Sequence, residues 1–199
     1  MNYSGNLYFG RLVKISAFFY FLLSIFAVAE SAQAANLYFS PSSGTYGVGR
    51  NFNVSLVVNT DSAMNSAEGM INFPTDKLEV IGLSKEGIVN LWVQEPSFSN
   101  GGAVGNVTFA GVVLNPGFTG NAGKLLTIHF RARSEGTPTL KFVQGSVLAN
   151  DGLGTNILSQ LGQAFYVLDP AASQSAGGAV EAGILPPVIT FYPKHLTSP

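Results

Sequence analysis

GKLLTIHFRARSEGTPTLKFVQGSVLANDGLGTNIL, residues 123–158, is the stretch whose reading decides the fold. Leu126, Ile128, Phe130 and Ala132 fall on one face of an extended chain, while Thr127, His129, Arg131 and Arg133 fall on the other. One face is therefore dry and the other wet. Ser134, Glu135, Gly136, Thr137 and Pro138 supply turn chemistry, and Leu140 and Phe142 resume the alternation around Lys141. Two antiparallel strands joined tightly, then a glycine-rich loop, are the expectation, and an all-β sandwich is their natural host.

Composition bounds the function. The chain has 199 residues, 11% of them charged, and a formal net charge of -1, so it lacks the basic field that nucleic-acid binding requires. Its 23 glycines suit a turn-rich β protein, and the apolar content is enough for one core. With no cysteine there is no disulfide, no thiolate–metal chemistry and no thiol nucleophile.

Outward from the opening stretch, residues 1–34 carry Arg11 and Lys14, an apolar run from Ala17 to Ala29, and then Ala32, Gln33 and Ala34. That order is a secretory signal peptide cleaved after Ala34, which leaves a secreted or cell-surface product with no stable membrane span. Leu37, Tyr38 and Phe39 begin a first strand, followed by a turn-rich connection. Phe52, Val54, Leu56 and Val58 alternate with Asn53, Ser55, Val57 and Asn59 up to a turn at Asp61 and Ser62. Gly69, Ile71 and Phe73 face inward if Glu68, Met70 and Asn72 face out, and the turn Pro74-Thr75-Asp76 leads into Leu78-Glu79-Val80-Ile81. Short strands are expected on either side of Pro96. From Asn106 to Leu114 the chain is almost continuously apolar, as in a strand covered on both sides or one whose outer face meets something else. Ala164 to Leu168 is the last strand. The domain spans residues 35–169. Residues 170–199 read as a flexible Ala/Ser/Gly/Gln linker and a tail, in which Leu185-Pro186-Pro187-Val188-Ile189-Thr190-Phe191 is similar to the opening strand of a further β module.

These residues together resemble the cohesin domain, the module that binds dockerin in cellulosomes and also occurs in non-cellulosomal surface proteins. Phe73-Pro74-Thr75-Asp76-Lys77-Leu78-Glu79-Val80-Ile81-Gly82-Leu83 is similar to the family's aromatic, turn and Leu-Glu-Val segment, and residues 123–130 to its Gly-x-Leu-x-x-Ile-x-Phe strand. Gly136, Leu140, Phe142, Asp151 and Gly152 follow in the family's order. The resemblance implies a jelly-roll β-sandwich of about nine strands, related in fold to carbohydrate-binding modules. It also implies a non-catalytic protein–protein attachment module whose partner bears a dockerin or a comparable element. The partner-binding positions it implies are Ser66 and Glu68, where cellulosomal cohesins carry an Asn and an Asp, with Met70 and Asn72 next on the same face. A carbohydrate-binding module with polysaccharide as ligand is the alternative, and a structural spacer of a surface adhesin is a third reading.

No enzyme is expected. The two histidines, His129 and His195, sit in an outward strand position and in the tail, no Gly-x-Ser-x-Gly elbow is present, and the eleven acidic residues are scattered. Neither a metal nor a cofactor is expected: the loop from Asn150 to Asn156 lacks the spacing of a calcium hand, and turn chemistry explains its Asp and Asn residues. Trp92, the only tryptophan, has Leu91 and Val93 beside it, and packing accounts for it better than a sugar platform does. Asn53-Val54-Ser55 and Asn106-Val107-Thr108 match the glycosylation pattern but fall within strands.

Overall fold

A computed structural model describes residues 34–175. The expected signal peptide and nearly all of the expected tail lie outside the described residues. The strands are β1 (Ala35–Ser40), β2 (Ser43–Gly47), β3 (Asn51–Pro74), β4 (Leu78–Ser84), β5 (Leu91–Ser99), β6 (Val104–Val112), β7 (Phe118–Ala132), β8 (Thr139–Ala149), β9 (Leu158–Leu161) and β10 (Gln163–Asp169). One short helix, α1 (Pro170–Ser175), follows β10. Its start is set by Asp169, whose Oδ1 accepts from the Ala171 N–H at 2.8 Å, with Pro170 at the first helical position. Among the described residues no helix is long and apolar enough to cross a membrane.

β3 is the axis of the fold. Its first half pairs with β1 and β7, and its second half with β6 and β8. A back sheet therefore runs β9, β1, β3, β7, β4, and a front sheet runs β5, β6, β3, β8, β10, β2. The hydrogen-bonded ribbon is continuous because one strand of 24 residues serves both layers. Asp61 and Ser62 were expected to end a strand. Instead the chain bends there without breaking: Thr60, itself buried, uses its hydroxyl to bond the backbone of Ser62, and the register against β7 shifts on either side.

From Leu126 to Arg133 the inward and outward sides are observed as read, whereas Leu125, on the wet side by alternation, is fully buried where the register against β3 shifts. Leu126, Ile128, Phe130 and Ala132 are fully buried and Arg131 is exposed, while His129 is half-buried. The tight hairpin is not observed. β7 pairs with β3 and β4, β8 pairs with β3 and β10, and the segment between them crosses from the back sheet to the front. Gly136 makes that crossing with φ of 137°, where only a glycine is at ease, and bridges Leu168 of β10. Pro96 does not divide a strand. It sits within β5, an edge strand, where a residue without an N–H is tolerated.

Strands thus number ten against about nine expected, because β2 and β9 each form by parallel pairing with a remote strand. Neither shows a local signal strong enough to announce it. Between the layers, Phe39 of the back sheet stacks on Phe142 of the front at 4.7 Å, and Phe73 meets Phe130 edge to face at 5.5 Å. These ring pairs join the two sheets across one core.

Candidate partner-binding face

The outer face of the front sheet follows from the register. Ser66 lies between Val112 and Leu148, Glu68 between Ala110 and Ser146, Met70 between Thr108 and Gln144, and Asn72 between Asn106 and Lys141. Period-two alternation sends Ala67, Ile71 and Phe73 into the core, so all four candidate residues share one side. Glu68 is exposed, while Ser66, Met70 and Asn72 are half-buried among their cross-strand neighbours. β6, read as covered on both sides or as facing something, buries Val107 and Phe109 and leaves Asn106, Thr108, Ala110 and Val112 on this same open face.

A concavity of about 380 Å³ lies at the centre, lined by Glu68, Gly69, Met70, Gln94, Thr108, Phe109, Gln144 and Gly145. Glycine forms its floor for a steric reason. A Cβ on Gly69 would stand 3.0 Å from the Phe109 ring, and one on Gly145 2.8 Å from Leu161. On the β5 side the polar groups are already engaged, since Gln94 Nε2 donates to Thr108 Oγ1 at 3.2 Å and Ser97 Oγ lies 3.0 Å from the same hydroxyl. On the β3 and β8 side they are not. Among the described residues, the carboxylate of Glu68 and the side-chain amides of Asn72 and Gln144 make no hydrogen bond within the chain. Adaptable thioether surface beside free acceptors and donors is what a protein partner can use.

Other candidate chemistry resolves into packing. Trp92 turns inward against Gly111, whose Cβ would be 3.0 Å from the indole, so no sugar platform stands there. In the loop after β8, Asp151 Oδ2 accepts from Thr155 Oγ1 at 2.5 Å and Oδ1 from the Leu153 N–H at 2.8 Å. Those bonds, the one from Thr155 first, hold its carboxyl below the usual aspartate value. The carboxylate is spent on its own turn.

One constellation escaped the sequence reading. Across the back sheet, His129 Nδ1 lies 2.8 Å from Asn53 Oδ1, and His129 Nε2 lies 2.9 Å from Ser84 Oγ. Asn53 Oδ1 can only accept, so Nδ1 carries a proton and Nε2 is free to accept from the serine. The connectivity is that of a serine with its base and orienting group. However, the orienting group is a neutral amide, and neither of the two concavities described for this fold includes Ser84, His129 or Asn53. The chain of bonds ties β4, β7 and β3 together. Nothing in the sequence could have paired these residues, because Asn53 and His129 are 76 positions apart.

No family model matches the sequence, and no curated protein matches it significantly. Solved structures do match. A non-cellulosomal cohesin from the hyperthermophilic archaeon Archaeoglobus fulgidus aligns with a TM-score of 0.52 at 15% identity, over 73% of this chain and 99% of that one. The seventh ScaB type I cohesin from Pseudobacteroides cellulosolvens aligns at 0.54 and 15% identity, over 68% and 92%. The Coh-OlpA–Doc918 type I cohesin–dockerin complex from Clostridium thermocellum aligns at 0.54 and 14% identity, over 68% and 99%. The fold is therefore cohesin-like, a jelly-roll β-sandwich.

Proposed function

We propose that residues 35–169 form a secreted, non-catalytic attachment module that holds a protein partner, of the dockerin-bearing kind, against the outer face of the front sheet. Ser66, Glu68, Met70 and Asn72 are the contact residues. The observation that carries this reading is the unengaged pair Glu68 and Gln144 beside Met70 in the central concavity, with Asn72 unengaged next to it, on a sheet face that no other described element covers. The cohesin-like fold supports it, and one of the similar structures is itself a complex with a dockerin. Scale agrees as well. Four strands of about nine residues make a platform of roughly 19 by 30 Å, approaching the ~800 Å² that one side of a standard interface buries.

Secretion follows from the signal peptide. Cleavage after Ala34 leaves a new α-ammonium at Ala35, whose nitrogen already donates to the Ile157 carbonyl at 2.8 Å. Asp61, whose Oδ1 accepts from the Ala34 N–H at 3.2 Å, stands beside that terminus as a counter-charge. The intact mass of the extracellular product should correspond to a start at Ala35. A product retaining residues 1–34 in the membrane would refute secretion.

The partner is tested by capture from the native secretome on the immobilised domain, repeated with E68A and N72A combined. Loss of a central interface group weakens binding by roughly 1–4 kcal/mol, so capture of a specific protein should fall at least tenfold while thermal stability holds. Unchanged capture would remove this face. Retention of polysaccharide alone would overturn the protein-attachment reading.

A further inference from the structure

Asn100, in the turn between β5 and β6, is the only asparagine of the chain that is followed by a glycine. That dipeptide carries a reaction of its own. With no side chain to crowd it, the backbone nitrogen of the glycine can attack the asparagine Cγ. A succinimide ring forms, and the amide nitrogen leaves as ammonia, taking the glycine's proton with it. Water then opens the ring to aspartate or isoaspartate. The only co-reactant is water, and asparagine is accordingly among the residues that limit chemical lifetime when proteins are heated.

The fold restrains both reacting groups. Asn100 Oδ1 accepts from the Val80 N–H and Nδ2 donates to the Val80 carbonyl, each at 2.9 Å, so the side-chain amide is turned toward the edge of β4. Ring closure needs that amide to swing back over its own backbone, which breaks both bonds. The Gly101 N–H, which must give up its proton to attack, donates to Ser99 Oγ at 3.2 Å. Val80 itself is buried, and the rest of the turn is tied to Thr75, whose hydroxyl donates to the Gly102 carbonyl and whose N–H donates to the Ala103 carbonyl.

We propose that Asn100 is a self-modifying site, shielded while it clasps Val80 and converted to aspartate or isoaspartate when the turn after β5 opens locally. Two ordinary hydrogen bonds bias such an opening by about tenfold or more, so the shielding is of that order. Conversion is irreversible and removes the clasp, because the product carboxylate has no proton to donate to the Val80 carbonyl. A molecule that has reacted therefore opens at the β4 edge more readily than a fresh one. The device is a clock set by the chain's own stability, and it holds whatever partner the front sheet takes.

The test follows the mass gain of an amide becoming an acid, in the full chain at mildly alkaline pH, with and without denaturing urea. Peptide mapping should place the first conversion of the folded chain at Asn100, at least tenfold slower than in urea. G101A adds a methyl that crowds the attacking nitrogen and meets only Ser99 Oγ, at 3.3 Å. It should keep the wild-type melting temperature and suppress conversion at Asn100 in both conditions. As wild type ages, its urea midpoint should drift toward that of N100D while the G101A midpoint stays constant. Equal rates with and without urea would overturn the shielding, and first conversion at another asparagine would overturn the site. A rate that rises with added urea only in step with global unfolding would overturn the local opening.

Discussion

Asn100 closes the free edge of β4 at Val80. Its Oδ1 accepts from the Val80 N–H at 2.9 Å and its Nδ2 donates to the Val80 carbonyl at 2.9 Å, so one side-chain amide stands in for a neighbouring strand. Asn100 belongs to the turn after β5, so the pair also fastens the back sheet to the front. Val80 is buried, and losing both partners leaves two backbone groups unsatisfied. N100A should destabilise the domain by about 1–3 kcal/mol, seen as a lower urea midpoint at unchanged slope. N100D should be no better, because a carboxylate cannot donate to the Val80 carbonyl. Wild-type midpoints for both variants would show that water replaces the amide without cost.

The register of β7 separates two adjacent residues. Phe130 is fully buried, 5.7 Å from the Phe52 ring and 5.5 Å from Phe73, and F130A should cost about 3–5 kcal/mol. H129A removes only the bonds to Asn53 and Ser84 on the outer face, for about 1 kcal/mol. Equal thermal shifts for the two variants would contradict this inside-out assignment.

Two glycines differ in the space around them. A Cβ on Gly105 would meet the Phe73 ring at 2.3 Å and the backbone oxygen of Ser99 at 2.8 Å, while one on Gly82 would find only His129 at 3.6 Å. G105A should therefore cost about 1–3 kcal/mol through overpacking and displacement of a core ring. G82A should fall within about 0.5 kcal/mol of wild type. Comparable melting temperatures for the pair would refute the close approach at Gly105.

Tyr166 gives the domain an alkaline limit. Its hydroxyl donates to the Pro41 carbonyl at 2.6 Å, and burial first, then neighbouring Tyr46, raises its phenol far above the ordinary tyrosine value. A folded-state value above the unfolded one means that the stabilisation is fully present below about pH 10 and declines as pH rises beyond it. Y166F should lose about 1 kcal/mol at neutral pH with the Pro41 bond. Wild type should then converge on Y166F between about pH 10 and pH 11, because only the tyrosine can ionise. A constant gap in chemical denaturation from pH 8 to pH 11 would disprove the linkage.

The side of each strand that faces the core was legible in the sequence, because side chains alternate with a period of two whatever the partner strand. Leu126, Ile128 and Phe130 could be assigned inward, and Glu68, Met70 and Asn72 outward, from neighbours within a few residues. The motifs that resembled a cohesin sit in that same local pattern, so fold class and candidate face were available early. Which strand pairs with which was decided by the tertiary structure. A turn such as residues 134–138 reads the same whether it closes a hairpin or carries the chain between sheets, and only the competing partners of β3 settle the matter. The bend at Asp61, the parallel strands β2 and β9, the Asn100 clasp on Val80 and the Ser84–His129–Asn53 chain likewise depend on contacts between residues far apart in sequence. Local pattern specifies burial, whereas hydrogen-bond partners follow from three-dimensional proximity that no short window of sequence contains.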